Sequence, residues 1–282
     1  MEKLLYLTCG KHRDLIPEER ALPELLRRRG LDAHIAAWDE EDWDPYGHIL
    51  IRTPWNYAEK PKLFLEKMAR ATALGANIMH SEKIIRWNID KNYLAEFYKA
   101  GLPVAPTFVE NNFTRAALRQ YHEKFGELVV KPRIGAGGQD TFRVAPDEPL
   151  DRLSVLEGRA VLVQPYIPEI ASEGEHSFIF FEERFSHAAV KKPAAGEFRV
   201  QEIHGGTSRP YSAPSREIAE AETLLKAAKL DTLYARVDMV KRKDRMLLME
   251  LEIFEPQLFL DFAPHAREQF AAAVARRCTS NP

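Results

Sequence analysis

The stretch of sequence that decides the fold lies near the carboxyl end of the chain. It reads YARVDMV (234–240), KRKDR (241–245) and MLLMELEIFEP (246–256). Apolar residues predominate on both sides of the short charged segment, which predicts two strands of a buried β-hairpin. Charged residues recur inside both apolar flanks, and these residues indicate chemistry as well as structure.

The hairpin places several charged side chains on one face. With residues 242–246 as its loop, Asp238 lies opposite Glu250, and Arg236 lies opposite Glu252. Buried carboxylates at close range repel one another unless a cation neutralises them. Oxygen ligands favour magnesium or manganese. The pattern therefore predicts a metal site of Asp238, Glu250 and Glu252, and a solvated strand face is the alternative interpretation.

A second motif, VVKPRIGAGGQDT (129–141), joins the end of a strand to a glycine-rich loop. Lys131 supplies a positive charge, and the backbone N–H groups of the loop can approach phosphate oxygens. The spacing is not that of a Walker A loop. A plain hairpin turn is the alternative, but together with the carboxylate hairpin this motif predicts a phosphate site.

A third motif, VLVQPYIP (161–168), follows another predicted strand. Pro165 removes one backbone donor and leaves an extended segment, where exposed backbone groups and apolar side chains can hold a flat heterocycle. An ordinary link between two domains is the alternative.

The rest of the chain predicts a mixed architecture. Apolar runs alternate with helical periodicity in the first third, which is typical of a parallel α/β sheet, whereas short strands and polar turns follow. The fold class is therefore α/β, and α+β in part. We divide the chain into an N-terminal domain (1–82), a central subdomain (83–165) and a C-terminal subdomain (166–282). One capped helix is predicted from Ser81 to Ala100.

Composition excludes several classes of function. The 282 residues are 45% hydrophobic and carry a formal net charge of -2, which favours a small-molecule substrate over nucleic acid or an anionic membrane. The two cysteines, Cys9 and Cys278, are too far apart in sequence to suggest a disulfide framework or a CxxC site. No apolar run approaches the length of a signal or membrane segment. We expect a cytoplasmic monomer or homodimer.

In the order of its motifs, the chain resembles the ATP-grasp superfamily. The similarity is to the branch with a glutathione-synthetase-type ATP domain, which includes the cycloserine-synthetase-like ligases, and it runs almost end to end. The segments that carry it are TC (8–9), AWD (37–39), RTPWNY (52–57), RWNIDKNYL (86–94), FRVQ (198–201), GG (205–206) and ELEIFEP (250–256).

The resemblance implies an ATP-grasp fold and a set of ATP contacts. The residues concerned are Lys91 and Lys131 on the phosphates, Gly135, Gly137 and Gly138 in a closing lid, Gln164, Tyr166 and Ile167 around the adenine, and Glu175 on the ribose. Asp238, Glu250 and Glu252 match the metal positions, although many members have Asn where this chain has Glu252. Arg236 and Arg199 match arginines that stabilise the acyl phosphate and the later intermediate.

The N-terminal domain supplies three candidate substrate contacts. Trp55 and Tyr57 follow a strand end, where ligands of α/β domains tend to lie, and Arg52 belongs to the same motif. The resemblance implies a ligase that uses ATP and Mg²⁺ (or Mn²⁺) to join a small amino-acid-like carboxylate to an amine, with ADP and phosphate as products. An ATP-grasp kinase that stops at phosphoryl transfer and a non-catalytic nucleotide-binding module are the alternatives.

Overall fold

The computed structural model describes residues 1–279, which form three β-sheets surrounded by helices. The strands are β1 (Glu2–Thr8), β2 (Leu31–Ala37), β3 (His48–Thr53), β4 (Asn77–Ile78), β5 (Phe108–Glu110), β6 (Leu128–Pro132), β7 (Phe142–Val144), β8 (Val161–Pro165), β9 (Glu175–Phe181), β10 (Arg184–Lys192), β11 (Thr207–Tyr211), β12 (Tyr234–Arg242) and β13 (Arg245–Glu252). The α-helices are α1 (Leu22–Arg27), α2 (Pro61–Ala73), α3 (Glu82–Ile89), α4 (Tyr93–Lys99), α5 (Leu118–Phe125), α6 (Glu169–Ser172), α7 (Ser215–Ala227) and α8 (Ala266–Thr279).

The first sheet is parallel, with the strand order β2-β1-β3-β4. Its central strand β1 is apolar on both faces, as a parallel strand covered by helices requires. The predicted parallel α/β unit at the start of the chain is confirmed. Residues 17–19 form a 3₁₀ turn that precedes helix α1.

The other two sheets are antiparallel. The second sheet has the order β5-β8-β6-β7, and the third has the order β11-β10-β9-β12-β13. The combination of one parallel and two antiparallel sheets confirms the predicted mixed fold class. It also brings the end of β6 and the β12–β13 hairpin to the same side of the molecule, where Lys91 and Lys131 meet the hairpin's carboxylates.

The helix predicted to run from residue 81 to residue 100 is broken, and that prediction is wrong. Helix α3 ends at Ile89, Asp90 is extended, and α4 begins at Tyr93. The carboxylate of Asp90 accepts a hydrogen bond from the backbone N–H of Asn92 at 3.0 Å and pairs with Arg133. These side-chain bonds compete with continuation of the helix.

Both helices of this pair pack on the third sheet. Tyr93 and Leu94 belong to the same apolar cluster as Val237 and Leu251 of the hairpin. The backbone of residues 103–105 extends this attachment, since Ala105 donates to the carbonyl of Leu248 at 3.0 Å. The three domain ranges given above stay a prediction.

One apolar core is shared between the two ends of the chain. It joins Leu4 and Tyr6 of β1 to Ile179 of β9 and to Phe270 and Val274 of α8. All five side chains are fully buried. Within residues 1–279, no helix is both long and apolar enough to cross a membrane.

Candidate active site

The β12–β13 hairpin has the predicted pairs but not the predicted loop. Asp238 lies opposite Glu250, and Arg236 lies opposite Glu252. The loop, however, contains two residues and not five, because Arg242 pairs with Arg245. The shorter loop shifts the strand register by one residue relative to the predicted pairing. A bulge at Met249, between the pairs Met239–Leu248 and Asp238–Glu250, restores that pairing.

The bulge determines which side chains share a face. Without it, the register set by the short loop would place Met249 opposite Asp238 and turn Glu250 to the other face, since side chains alternate along a strand. With it, Glu250 and Glu252 face the same side as Asp238 and Arg236.

Asp238 lies at the centre of a buried network of ion pairs. One carboxylate oxygen accepts from the hydroxyl of Ser177 at 2.6 Å, and the other accepts from the ammonium of Lys191 at 2.9 Å. The guanidinium of Arg236 donates to both oxygens, at 2.9 and 2.8 Å. Burial disfavours the ionised form, but Arg236 and Lys191 outweigh it and hold the pKa of Asp238 well below its usual value.

Glu250 and Glu252 lie nearer to solvent, with about a quarter of each side chain exposed, 25% and 23%. Glu250 pairs with Lys91 at 2.9 Å, and its pKa is lowered because Lys91 and Lys131 outweigh the effect of burial. Glu252 pairs with Arg236, yet burial and the neighbouring carboxylates raise its pKa to about 7. Negative charge is therefore in excess around Glu252.

The predicted three-carboxylate metal site is not assembled in this form. Among residues 1–279, no three Asp, Glu, His or Cys side chains come together in an arrangement that could hold a metal ion. Both oxygens of Asp238 are bonded within the protein. Glu250 and Glu252 fit a divalent cation better, because Mg²⁺ takes one or two protein carboxylates and completes its shell with water and phosphate oxygens.

The phosphate side of the site forms where the helix is broken. Lys91 follows Asp90 in the break, and its ammonium donates to the carbonyl of Gly135 at 2.6 Å as well as pairing with Glu250. Burial lowers the pKa of Lys131, partly opposed by Glu250. No hydrogen bond or ion pair is found for the ammonium of Lys131 within residues 1–279, so its charge is open to an anionic ligand.

The glycine loop packs against the segment that contains Arg199. A Cβ atom on Gly138 would lie 3.3 Å from Cδ of Arg199 and 3.0 Å from the amide oxygen of Gln201, and the φ of Gly138 is +71°. The carbonyl of Gly137 lies 3.0 Å from the ring nitrogen of His204. Arg199 itself pairs with Glu197 at 2.8 Å. The predicted lid and the second predicted arginine are thus neighbours.

The residues predicted around the adenine and ribose have different surroundings. Gln164 is buried and donates to the hydroxyl of Thr107 at 2.8 Å, and Tyr166 is half-buried with the Arg143 guanidinium 3.9 Å from its ring centre. Ile167 lies in a separate apolar cluster. Its side chain is therefore part of the core, and only its backbone could line a nucleotide site.

Glu175 lies in the ion-pair network around Asp238. Its carboxylate pairs with Lys191 at 2.5 Å, and burial raises its pKa despite that lysine. In this form its carboxylate is therefore not free for ribose hydroxyls. Glu175 can bind ribose hydroxyls, as predicted, only when its ion pair with Lys191 is broken.

Two of the three predicted substrate contacts of the N-terminal domain face the site. The indole N–H of Trp55 donates to the backbone carbonyl of Glu255 at 2.9 Å, and the hydroxyl of Tyr57 lies 3.4 Å from the carbonyl of Gly135. Arg52 is fully buried and pairs with Glu19 at 2.7 Å, so a substrate contact does not fit its position. The motif predicts Arg52 near substrate, but its guanidinium bonds instead to Glu19 and to the backbone carbonyl of Pro256.

Sequence reasoning missed Lys191, Ser177 and Glu255. Lys191 and Ser177 lie on β10 (RFSHAAVKK) and β9 (EHSFIFF) beside other polar residues, so no local pattern singles them out. Glu255 follows the Glu-x-Glu pattern by three residues and is 9% exposed. The sequence signal for Glu255 is a charged residue among apolar neighbours, the same signal that indicates Glu250.

A glycine loop and two lysines beside the carboxylate hairpin, between antiparallel sheets, define an ATP-grasp enzyme. Residues 90–260 match the sequence model of the prokaryotic glutathione synthetase ATP-grasp domain, and the chain belongs to that family. It is an ATP-dependent ligase that forms C–N bonds. Residues 4–80 match the N-terminal domain of the D-cycloserine synthetase DcsG.

Individual relatives agree with this membership. The cycloserine biosynthesis protein DcsG of Streptomyces lavendulae is 29% identical over 285 residues, which cover 93% of this chain and 95% of that protein. A glutathione synthetase of Ralstonia nicotianae is 29% identical over 66% of this chain and 61% of its own length. The crystal structure of D-cycloserine synthetase DcsG superposes with a TM-score of 0.84 at 28% identity, covering 98% of this chain and 99% of that one.

Proposed function

We propose that the enzyme activates the carboxylate of a small amino-acid-like substrate as an acyl phosphate and transfers it to an amine, releasing ADP and phosphate. The observation that carries this proposal is the half-buried Lys131, which has no protein partner within the described residues, beside Lys91 and the hairpin carboxylates. A cation held in this way is stabilised when phosphate binds. The whole-chain relative acts in cycloserine biosynthesis, which supports an amino-acid-like substrate.

The proposed ligand contacts follow from these positions. Lys91 and Lys131 hold the phosphates, and the loop with Gly135, Gly137 and Gly138 closes over them. Backbone and side-chain groups of residues 164–167 hold the adenine. Each lysine supplies a charge-assisted contact, and a closed loop excludes the water that would hydrolyse an acyl phosphate.

Glu250 and Glu252 would hold Mg²⁺ or Mn²⁺, which neutralises charge on the phosphate oxygens when bound. Arg236 donates to Glu252 and to Asp238, so it can stabilise negative charge on the acyl phosphate only from within this network. Asp238 therefore fixes the guanidinium of Arg236, and Arg199 lies beside the glycine loop at Gly138.

The products of turnover test this proposal. The enzyme is incubated with ATP, Mg²⁺ and pools of L- and D-amino acids, and ADP, phosphate, AMP and pyrophosphate are measured. ADP and phosphate released together, only when a carboxylate and an amine are present, support ligation. Hydroxylamine added to the same mixture should trap the acyl phosphate as a hydroxamate.

Other products would contradict the proposal in different ways. AMP and pyrophosphate would exclude an acyl phosphate. A stable phosphorylated product, formed without an amine, would identify a kinase. Binding of ATP without any turnover would identify a nucleotide-binding module. A non-hydrolysable ATP analogue separates this last case, because ligand binding to the native state raises the melting temperature.

A further inference from the structure

Glu255 differs from the other carboxylates at the active site. Glu175 and Asp238 pair with Lys191, Glu250 pairs with Lys91, and Glu252 pairs with Arg236. Within residues 1–279 no lysine, arginine or histidine lies within ion-pair distance of Glu255, although its side chain is almost wholly buried. A buried carboxylate without a cation is costly, so this arrangement calls for a positive charge from a ligand.

The protein holds Glu255 firmly in this unpaired state. Its backbone carbonyl accepts the indole N–H of Trp55 at 2.9 Å, and the next carbonyl, that of Pro256, accepts from Arg52 at 2.8 Å. Its carboxyl group lies beside the hydroxyl of Tyr57. The two backbone bonds fix the position of the main chain at Glu255 and Pro256.

The position of Glu255 is that of a substrate contact. The Tyr57 hydroxyl beside it donates to the carbonyl of Gly135 at 3.4 Å, and that carbonyl also accepts from Lys91 at 2.6 Å. Glu255 therefore lies between the N-terminal sheet and the lysine assigned to ATP phosphate. An acyl group that receives phosphate, or an amine that attacks it, must lie beside those phosphates.

We propose that Glu255 is the residue that binds the ammonium group of the amino-acid substrate, an inference that rests on the proposed ligase function. An ammonium group has three donors and needs few acceptors, so one carboxylate, the oxygen of Tyr57 and the nearby ring of Trp55 suit it. Mg²⁺ is assigned to Glu250 and Glu252, whose side chains are more exposed than that of Glu255. Burial and Glu252 raise the pKa of Glu255 to about 8, in keeping with a carboxyl group that lacks a cationic partner.

Kinetics of Glu255→Gln test this inference, because glutamine keeps the shape and removes the charge. The probe is the amino acid that most stimulates ADP release by the wild-type enzyme, together with its N-acetyl derivative, which has no ammonium group. We expect KM for the amino acid to rise about tenfold or more, as loss of a charge-assisted contact predicts. KM for ATP and the Mg²⁺ concentration at half-maximal rate should stay within about twofold. The wild-type enzyme and Glu255→Gln should turn over the N-acetyl derivative at the same rate.

The control variant is Glu217→Gln. Glu217 is also buried and accepts a bond from a tyrosine, Tyr211, at 2.7 Å, but it lies on α7 away from the site. It should keep the wild-type KM. Binding of a non-hydrolysable ATP analogue, followed by thermal shift, shows whether each variant is folded.

The outcomes separate the inference from the function on which it rests. An unchanged KM for the amino acid in folded Glu255→Gln overturns the inference alone. A shift in the Mg²⁺ requirement overturns it in favour of a metal ligand. If Glu255→Gln loses as much activity with the N-acetyl derivative as with the amino acid, Glu255 has a structural role, and the inference is overturned. No amino-acid-dependent ADP release by the wild type overturns the proposed function, and the inference with it.

Discussion

Replacing Asp238 by Asn should destabilise the protein strongly, whereas replacing Glu252 by Gln should not. The carboxylate of Asp238 is bonded to Ser177, Lys191 and Arg236, and its side chain is 2% exposed. Asparagine keeps the shape but leaves two buried cations short of one negative charge. The sequence predicts that a metal ion neutralises Asp238, whereas in the structure Lys191 and Arg236 do so.

The magnitude follows from what remains after the change. Removing one partner of a buried ion pair costs roughly 3 to 5 kcal/mol. Lys191 keeps its contact with Glu175 at 2.5 Å, and Arg236 keeps Glu252, so the lower end of that range, about 3 kcal/mol, applies. In a chain of this size this corresponds to a fall in melting temperature of roughly 6 to 12 °C.

Glu252→Gln removes a charge that the site does not favour. The pKa of Glu252 is raised to about 7, first by burial and then by Asp238 and Glu250 against the pull of Arg236. Its melting temperature should therefore stay the same or rise slightly without metal. Both variants should lose turnover, because one removes the carboxylate that positions Arg236 and the other removes a proposed metal ligand.

Two measurements on the same proteins distinguish these roles. Melting temperature is measured in EDTA, and the Mg²⁺ dependence of ADP release is measured on any residual activity. Glu252→Gln should require more Mg²⁺, whereas Asp238→Asn should keep the wild-type requirement. An unchanged melting temperature for Asp238→Asn, together with an increased Mg²⁺ requirement, would refute the reasoning and restore Asp238 as a metal ligand.

Three further predictions concern nucleotide binding and pH. Lys131→Ala and Lys91→Ala should each weaken binding of a non-hydrolysable ATP analogue by about 1.5 to 3 kcal/mol by calorimetry, and unchanged affinity in both would contradict the phosphate assignment. The loop of residues 135–138 should exchange its amide hydrogens more slowly with nucleotide than without, and equal rates would count against a lid. Because its pKa is raised in the folded protein, Glu252 binds more protons there than in the unfolded chain, so the free energy of unfolding in EDTA should fall from about pH 4.5 to about pH 7. Glu255, whose pKa is also raised, contributes a slope of the same sign. Glu252→Gln should therefore reduce the slope in pH-dependent melting, and an unchanged slope would assign it to other groups.

The charged pairs of the hairpin could be predicted because they lie in one short apolar stretch. The loop length could not, since two different combinations of loop and bulge give the same pairing of Asp238 with Glu250. A bulge has no reliable sequence signal when the extra residue is an ordinary apolar side chain such as Met249. The predicted alignment was therefore correct although the predicted loop was wrong.

Partners that are distant in sequence explain the other differences. Lys191 lies 47 positions from Asp238, and nothing local indicates that β10 and β12 flank the same strand, β9. The break at Asp90 depends on Arg133, which is 43 positions away. The buried ion pair of Arg52 could not be foreseen for the same reason, because its partner Glu19 lies 33 positions away. Local patterns thus identified the chemistry of the hairpin but not the network that holds it.

The core shared by the two ends of the chain limits how this enzyme can be dissected. The segment that matches the ATP-grasp domain, residues 90–260, excludes β1 and α8, yet Tyr6, Phe270 and Val274 fill one core with Ile179 of that segment. Excising residues 90–260 would expose that apolar surface and would also remove Glu18, whose carboxylate accepts the backbone N–H of Leu258 at 3.0 Å. The excised domain should aggregate on expression, whereas a circular permutant that joins the two ends through a flexible linker should remain soluble.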